Sequence, residues 1–334
     1  MTERESLIAE FLAVAGWGNA ERGVLAGDAS FRRYDRLQRG KEQAVLMDAP
    51  PPMEDVRPFI HIDRLLRKMG LSAPEILAEN PQTGLLLLED LGDDTYTRVL
   101  TNGGDEAGLY ELALDLLVAL HRRFEGDNAL PPYDDEAFLT EACLLTDWYM
   151  PAIRGEETQA AIREEYCVLW RAALAEARRM PATLVLRDYH VDNMVWLPDR
   201  PGVAACGLLD FQDARLGPIT YDLVSLFEDA RRDVPPALTQ RLLGRYLAAF
   251  PELDREAFAA SYAIMGAQRS AKILGIFTRL DRRDGKPGYL AHIPRVWRWL
   301  ENDLTHPALA ALREWFDRML PAETRVTPEP GSGA

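Results

Sequence analysis

The stretch LVLRDYHVDNMVWL, residues 184–197, sets the polar centre RDYHVDN between two short apolar runs. Asp188 and Asn193 lie five residues apart in it, and Asp210 closes a further apolar run, ACGLLD, seventeen residues beyond Asn193. Phosphoryl transfer to a hydroxyl needs this set of groups. A carboxylate orients the hydroxyl and takes its proton, and oxygen ligands hold Mg²⁺, a hard cation, against the phosphates. The bland reading is a polar turn followed by a strand-end Asp. Asp-x4-Asn alone is a weak signal. Its weight comes from Asp210 and from the order of elements around it.

Those elements belong to a chain of 334 residues, long for one core, which predicts two lobes. Apolar residues make up 47%, enough for a sizeable interior. The net charge of -15 argues against nucleic acid or an anionic membrane as partner, since both need a basic footprint. A cationic or neutral small molecule suits it better. Cys143, Cys167 and Cys206 are odd in number, far apart and without metal-ligand spacing, as expected of reduced thiols in a cytoplasmic protein. The segment MTERESLIAEFLAVAG lacks a basic start and is not expected to be a signal peptide. No apolar run approaches the length of a membrane span.

Thr2 and Glu5 have capping-box spacing before a helix over 2–15 with an apolar stripe at Leu7, Ile8, Phe11, Leu12 and Ala15. Three strands are expected over VLAGDASFRRYDRLQRGKEQAVLMDAPP, then a helix near 54–69, then strands near 75–78 and 84–91. Helices follow near 105–124, 134–149 and 158–179. After the strand–loop–strand that holds Asp188 come a short strand ending at Asp210 and helices near 220–230, 235–249, 254–275, 288–303 and 306–319. Strands lead and helices follow, an α+β layout. The expected division is residues 1–90 as an antiparallel-sheet lobe, 91–326 as a helical lobe, and 327–334 as a disordered tail.

The pattern D-x-x-x-x-N, then LLDFQDARLGP and YDL, resembles the aminoglycoside phosphotransferase-like kinases. The resemblance runs over most of the chain and implies the bilobal protein-kinase-like fold. GDASFRRY, VLMDAPPP, RDYHVDN and LLDFQDARLGP together look like the anomeric kinases of N-acetylmuramate and N-acetylglucosamine. That likeness implies transfer of the ATP γ-phosphate to the sugar C1 hydroxyl, in bacterial cell-wall recycling; a monomer is expected. An aminoglycoside, a choline-like alcohol or homoserine is an alternative acceptor, and a nucleotide-binding scaffold without turnover an alternative class.

Carried over residue by residue, Asp188 matches the catalytic Asp, and Asn193 and Asp210 match the Mg²⁺ ligands. Asp222 in YDL matches a structural Asp that braces the loop. Glu89 and Leu91 match the segment that meets adenine. Gly27, Asp28, Ala29 and Ser30 match the phosphate loop. There are two departures. Leu186 and Arg187 stand where many members carry His-Gly, so Arg187 either braces the loop or touches phosphate. The third strand also offers no Lys to the phosphates, having Leu46 or Met47 near that position. Arg32 or Arg33 are the nearest replacement cations, and alternation sends one of them inward and the other out.

His190 and Asp192 could ligate Zn²⁺, but no further ligands have suitable spacing, so loop support or a sugar contact is expected of His190. Asp213 reads as an ion-pair partner before a third metal ligand. Trp148, Tyr149, Trp170, Trp297 and Trp299 invite a sugar-stacking role, yet aromatics at helical spacing are more often core. Sugar contacts are expected on helices after 230 and around 134–150.

Overall fold

Thr2 caps the first helix, α1 (Glu3–Val14), by accepting the Glu5 N–H at 3.3 Å. The structure, a computed structural model, describes residues 2–27 and 31–331. After α1 come β1 (Glu21–Gly27), β2 (Arg33–Arg39), β3 (Glu42–Asp48), α2 (Arg57–Lys68), β4 (Ile76–Asn80) and β5 (Leu85–Glu89). Then follow α3 (Tyr96–Thr101), α4 (Glu106–Arg123), α5 (Asp135–Ala142), a π-helical turn at Leu145–Tyr149, α6 (Met150–Arg154) and α7 (Ala160–Ala177). The rest is β6 (Ala182–Val185), β7 (Met194–Trp196), β8 (Cys206–Leu208), β9 (Arg215–Pro218), α8 (Tyr221–Phe227), α9 (Pro236–Ala249), α10 (Arg255–Asp284), α11 (Ile293–Asp303) and α12 (Ala310–Met319). No helix among the described residues is long and apolar enough to cross a membrane.

By packing, the chain divides into two units, Met1–Arg123 with Val191–Ala214, and Phe124–His190 with Arg215–Ala334. The first holds an antiparallel sheet in the order β1-β2-β3-β5-β4. The continuous apolar runs AVLM and LLLL lie in its middle strands, and both sheet faces are covered there. Side chains alternate, so Ala44, Leu46, Leu85 and Leu87 pack under Ile8, Phe11 and Leu12 of α1. Val45, Met47 and Leu88 face the other way, toward Phe59 of α2.

The sequence reading divides the chain at residue 90, whereas this unit also takes in α3, α4 and the β7–β8 hairpin. Backbone pairing ties in the hairpin, and α4 packs against it. Leu208 N donates to Ser72 O and Trp196 N to Asp94 O, both at 2.8 Å.

The second unit is built on α10, a helix of 30 residues, about 45 Å long, buried nearly all round. The expected end at residue 275 falls short because GIFTRLDRRD continues the helix to Gly285, whose φ of 63° closes it. Gly275 lies inside the helix where α10 presses on another segment. A Cβ there would stand 2.2 Å from the Leu144 carbonyl carbon. Tyr149, Trp170 and Trp297 belong to this core, which removes them as sugar platforms. The tail expected to be disordered is tied to α10 as far as Gly331. Arg282 donates to Glu329 O at 2.7 Å, and Gly331 N donates to Asp281 at 2.9 Å.

The two runs flanking RDYHVDN do not pair with each other. β6 pairs antiparallel with β9 in the second unit, and β7 pairs with β8 in the first. β9 is absent from the sequence reading, because RLGP is short and carries Gly and Pro, which weaken any strand signal.

Candidate active site

The β7–β8 register explains the spacing of Asn193 and Asp210. Met194 sits opposite Leu208 and Trp196 opposite Cys206, so the chain returns on itself, and Leu209 N donates to Asn193 O at 2.9 Å. Asn193 therefore precedes one strand while Asp210 follows the other at the same open end. Their side chains stand 3.5 Å apart, Nδ2 to Oδ2. Gln212 Nε2 donates to the other Asp210 oxygen at 2.7 Å. Asp210 holds a left-handed φ of 56°, unusual for a residue with a Cβ. One amide and one carboxylate are hard donors. They are too few to cage a cation alone, which fits Mg²⁺ completing its shell with water and phosphate oxygens.

Asp188 belongs to the second unit, where its loop is held from several sides. Asp222, at the start of α8, accepts the Leu186 N–H at 2.6 Å and the Arg187 N–H at 2.9 Å. Ser225 Oγ donates to Arg187 O at 3.1 Å. Burial pushes the Asp222 carboxyl up to about 7, against the pull of its two amide donors. Asp188 itself is held at about 2. Burial opposes its charge, but Lys272, His190, Arg269 and Arg187 outweigh burial. His190 is buried, which lowers its imidazole pKa, with Asp229 and Asp188 pulling the other way.

Arg187 adopts φ 72°, the left-handed region that a glycine enters without strain. For a residue with a Cβ this costs about 1–3 kcal/mol and needs surroundings that enforce it. The guanidinium turns to Glu141 of α5, to which it donates, and lies 5.5 Å from the Tyr133 ring centroid. Of the two roles open in the sequence, these contacts are those of loop bracing.

In the first unit an apolar cleft of about 340 Å³ is lined by Val45, Met47, Phe59, Leu88, Leu91 and Val195. Glu89, Asn193 and Asp210 line it as well, so it gathers residues that sequence places far apart. The volume is that of a small-molecule site. Glu89 ends β5, its carboxylate paired with Arg200, and its N–H donates to Glu75 O at 2.8 Å. The segment after it is pinned by Arg36, which bridges Asp90 at 2.6 Å and Asp93 at 2.8 Å.

A second cavity, of about 250 Å³, is lined by Arg32, Met47, Glu54, Phe59, Gln212 and Asp213. Arg32 is thus the inward member of its pair, 3.7 Å from Glu54, and Arg33 is exposed. Gly27 ends β1 opposite Arg33. Asp28, Ala29 and Ser30 lie outside the described residues.

A model of the phosphotransferase enzyme family matches residues 23–259. The chain belongs to that family. It is 42% identical to an N-acetylmuramate/N-acetylglucosamine kinase of Caulobacter vibrioides, over 97% of this chain and 99% of that protein. It is 39% identical to the enzyme of the same name from Pseudomonas aeruginosa, over 93% of each. Among solved structures, a choline kinase from Streptococcus pneumoniae superposes with a TM-score of 0.62 at 12% identity, covering 91% of this chain and all of that one. The fold is therefore the α+β, protein-kinase-like fold of this phosphotransferase family.

Several residues of this phosphotransferase escaped the sequence reading. Glu141, Lys272 and Arg269 surround the Asp188 loop and carry no local motif. The available signal was charge at core positions. Glu141 stands between Leu139 and Ala142 on a buried helical face, and Lys272 lies within SAKILGIF. Asp192 pairs with Thr97 of α3, a helix the sequence reading did not contain. Gln212 Nε2 lies 3.4 Å from Asp213.

Proposed function

We propose that this chain transfers the γ-phosphoryl group of ATP to the C1 hydroxyl of N-acetylmuramate and N-acetylglucosamine, in cell-wall recycling in the cytoplasm. The observation that carries the reading is the cleft that gathers Leu91, Glu89, Asn193 and Asp210 beside an inward-facing Arg32. The relatives named above bear the acceptor in their names. The acceptor is a small amino sugar, and the enzyme acts as a monomer.

In this reading Asp188 accepts a hydrogen bond from the acceptor hydroxyl, orients it and takes its proton. An anomeric hydroxyl is more acidic than an ordinary alcohol, so a base held at about 2 suffices if it orients well. Asn193 and Asp210 would hold Mg²⁺, which when bound neutralises charge on the phosphates. The apolar walls around Leu91 receive adenine. Arg32 and the loop Gly27–Ser30 serve the phosphates. Asp222 and Arg187 keep the Asp188 backbone in place.

A second reading, a nucleotide-binding scaffold without turnover, draws on Met47, which lines both cavities where a Lys is expected. One assay separates the readings. Purified chain with ATP and Mg²⁺ is offered amino sugars, aminoglycosides and choline, and the product is located by phosphorus NMR. A C1 phosphate on N-acetylmuramate is expected. Turnover of an aminoglycoside alone, or nucleotide binding with no turnover, rejects the proposal.

A further inference from the structure

Glu141 is a charged residue in a core position. It sits among Phe138, Leu139 and Ala142, all buried, and its own side chain is 14% exposed. Three donors converge on it. They are the Arg187 guanidinium, the Lys272 ammonium at 3.2 Å and the Tyr133 hydroxyl. The Tyr133 hydroxyl is in turn 3.1 Å from that of Tyr221, beside Asp222 at the start of α8. Burial opposes a charge on Glu141, yet Lys272 and Arg187 hold its carboxyl below the ordinary range. Glu141 is therefore an anion, and a buried anion at the meeting point of two cations.

The same two cations act on Asp188. Arg187 is its neighbour in sequence, and Lys272 rises from α10 one turn after Arg269. Two carboxylates, Glu141 of α5 and Asp188 of the loop, thus share Arg187 and Lys272. Removing Glu141 would have two effects. Arg187 would lose an ion-pair partner of its side chain while its backbone stays in the left-handed region. Asp188 would also inherit the two cations whole, and an acceptor hydroxyl would compete with them for its oxygens.

We propose that Glu141 is a positioning residue for Asp188: it ties down Arg187 and takes Lys272, and so sets where the Asp188 carboxylate points and how much cation it faces. The proposal rests on the reading of Asp188 as the residue that receives the acceptor hydroxyl.

The test uses the full chain with ATP, Mg²⁺ and the accepted sugar. Glu141→Gln is expected to lower kcat by about 10²-fold, the cost of a small misplacement at a reacting group, with nucleotide affinity unchanged. Glu141→Asp should recover part of the loss. Lys272→Met removes a cation that keeps Asp188 ionised, so the acid limb of the kcat/KM profile should move to higher pH. Adding Lys272→Met to Glu141→Gln should raise kcat above that of Glu141→Gln alone, because the charges balance again. Parent-level kcat in Glu141→Gln overturns the proposal. So does a loss of kcat that tracks melting temperature, is not relieved in the double variant and leaves the acid limb of Lys272→Met unmoved. Asp188→Asn, run alongside, separates the two claims. If it turns over at the parent rate, the role of Asp188 fails, whatever Glu141 does.

Discussion

The Asn193 amide and the Asp210 carboxylate stand 3.5 Å apart although seventeen residues of chain separate them. Backbone register produces this proximity. Met194 pairs with Leu208 across the β7–β8 hairpin, so the two candidate metal donors leave the ladder together. A slip of one residue in either strand would turn its side chains to the opposite face and part the two donors.

Asp188→Asn should lower kcat by about 10²–10⁴-fold, the usual contribution of a positioned acid or base. Nucleotide affinity should survive, since the apolar cleft belongs to the other packing unit. Steady-state kinetics with a parallel nucleotide titration checks both halves.

Asp210→Ala should act on the metal instead. The parent is expected to bind ATP more tightly with Mg²⁺ than without it. In the variant, calorimetric titrations with and without Mg²⁺ should nearly coincide. A full Mg²⁺ effect in the variant would remove Asp210 from the metal site.

Stability should fall with rising pH through a buried pair in the second unit. Glu228 Oε2 and Asp303 Oδ2 crowd against Gly266, where a Cβ would stand 2.7 and 2.3 Å from them. Tyr262, Arg269 and Asn302 face the pair. Burial pushes Glu228 from its ordinary 4.5 up to about 7, and burial with the charge of Glu228 raises Asp303 well above its ordinary value. Folded values above unfolded ones mean that the stabilisation is fully present below the unfolded pKa and is lost as pH rises through the folded one. Glu228→Gln should remove the part of this dependence that Glu228 carries, while the burial of Asp303 remains. Relative to it, the parent should lose on the order of 3 kcal/mol between about pH 4.5 and pH 7, read from denaturant midpoints. Parallel pH curves for the two proteins would exclude the pair as the cause.

Gly275→Ala should destabilise the chain, against helix propensity. In an open helix the change gains about 1 kcal/mol. Here the added methyl would meet the Leu144 backbone, and overpacking of that kind costs about 1–3 kcal/mol. A raised melting temperature would show that α10 and Leu144 can separate at little cost.

What was legible in the sequence was what is local. Thr2 announced α1, the runs AVLM and LLLL announced the middle of the sheet, and Asp-x4-Asn with LLD marked the loop and the hairpin end. What was not legible depends on distant partners. RLGP becomes a strand only because β6 lies beside it. LTDWY turns as a π-helix and α10 outruns its expected end, since both answer to packing rather than to propensity. Glu141 lies 46 residues before Arg187, and no spacing rule joins them. The inward turn of Arg32 and the outward turn of Arg33 needed the start of β2, which alternation alone does not supply.

The left-handed backbone at Arg187 carries an evolutionary corollary. Arginine and glycine codons are neighbours, so the loop can exchange an anchored side chain for a stereochemically easy one by a small mutational step. The exchange takes from Glu141 one of its three donors and leaves it Lys272 and Tyr133. Positions 141 and 187 should therefore drift as a couple across descendants of this fold. Lineages with glycine at 187 are expected to relax the demand for a carboxylate at 141, and lineages that keep arginine are expected to retain it.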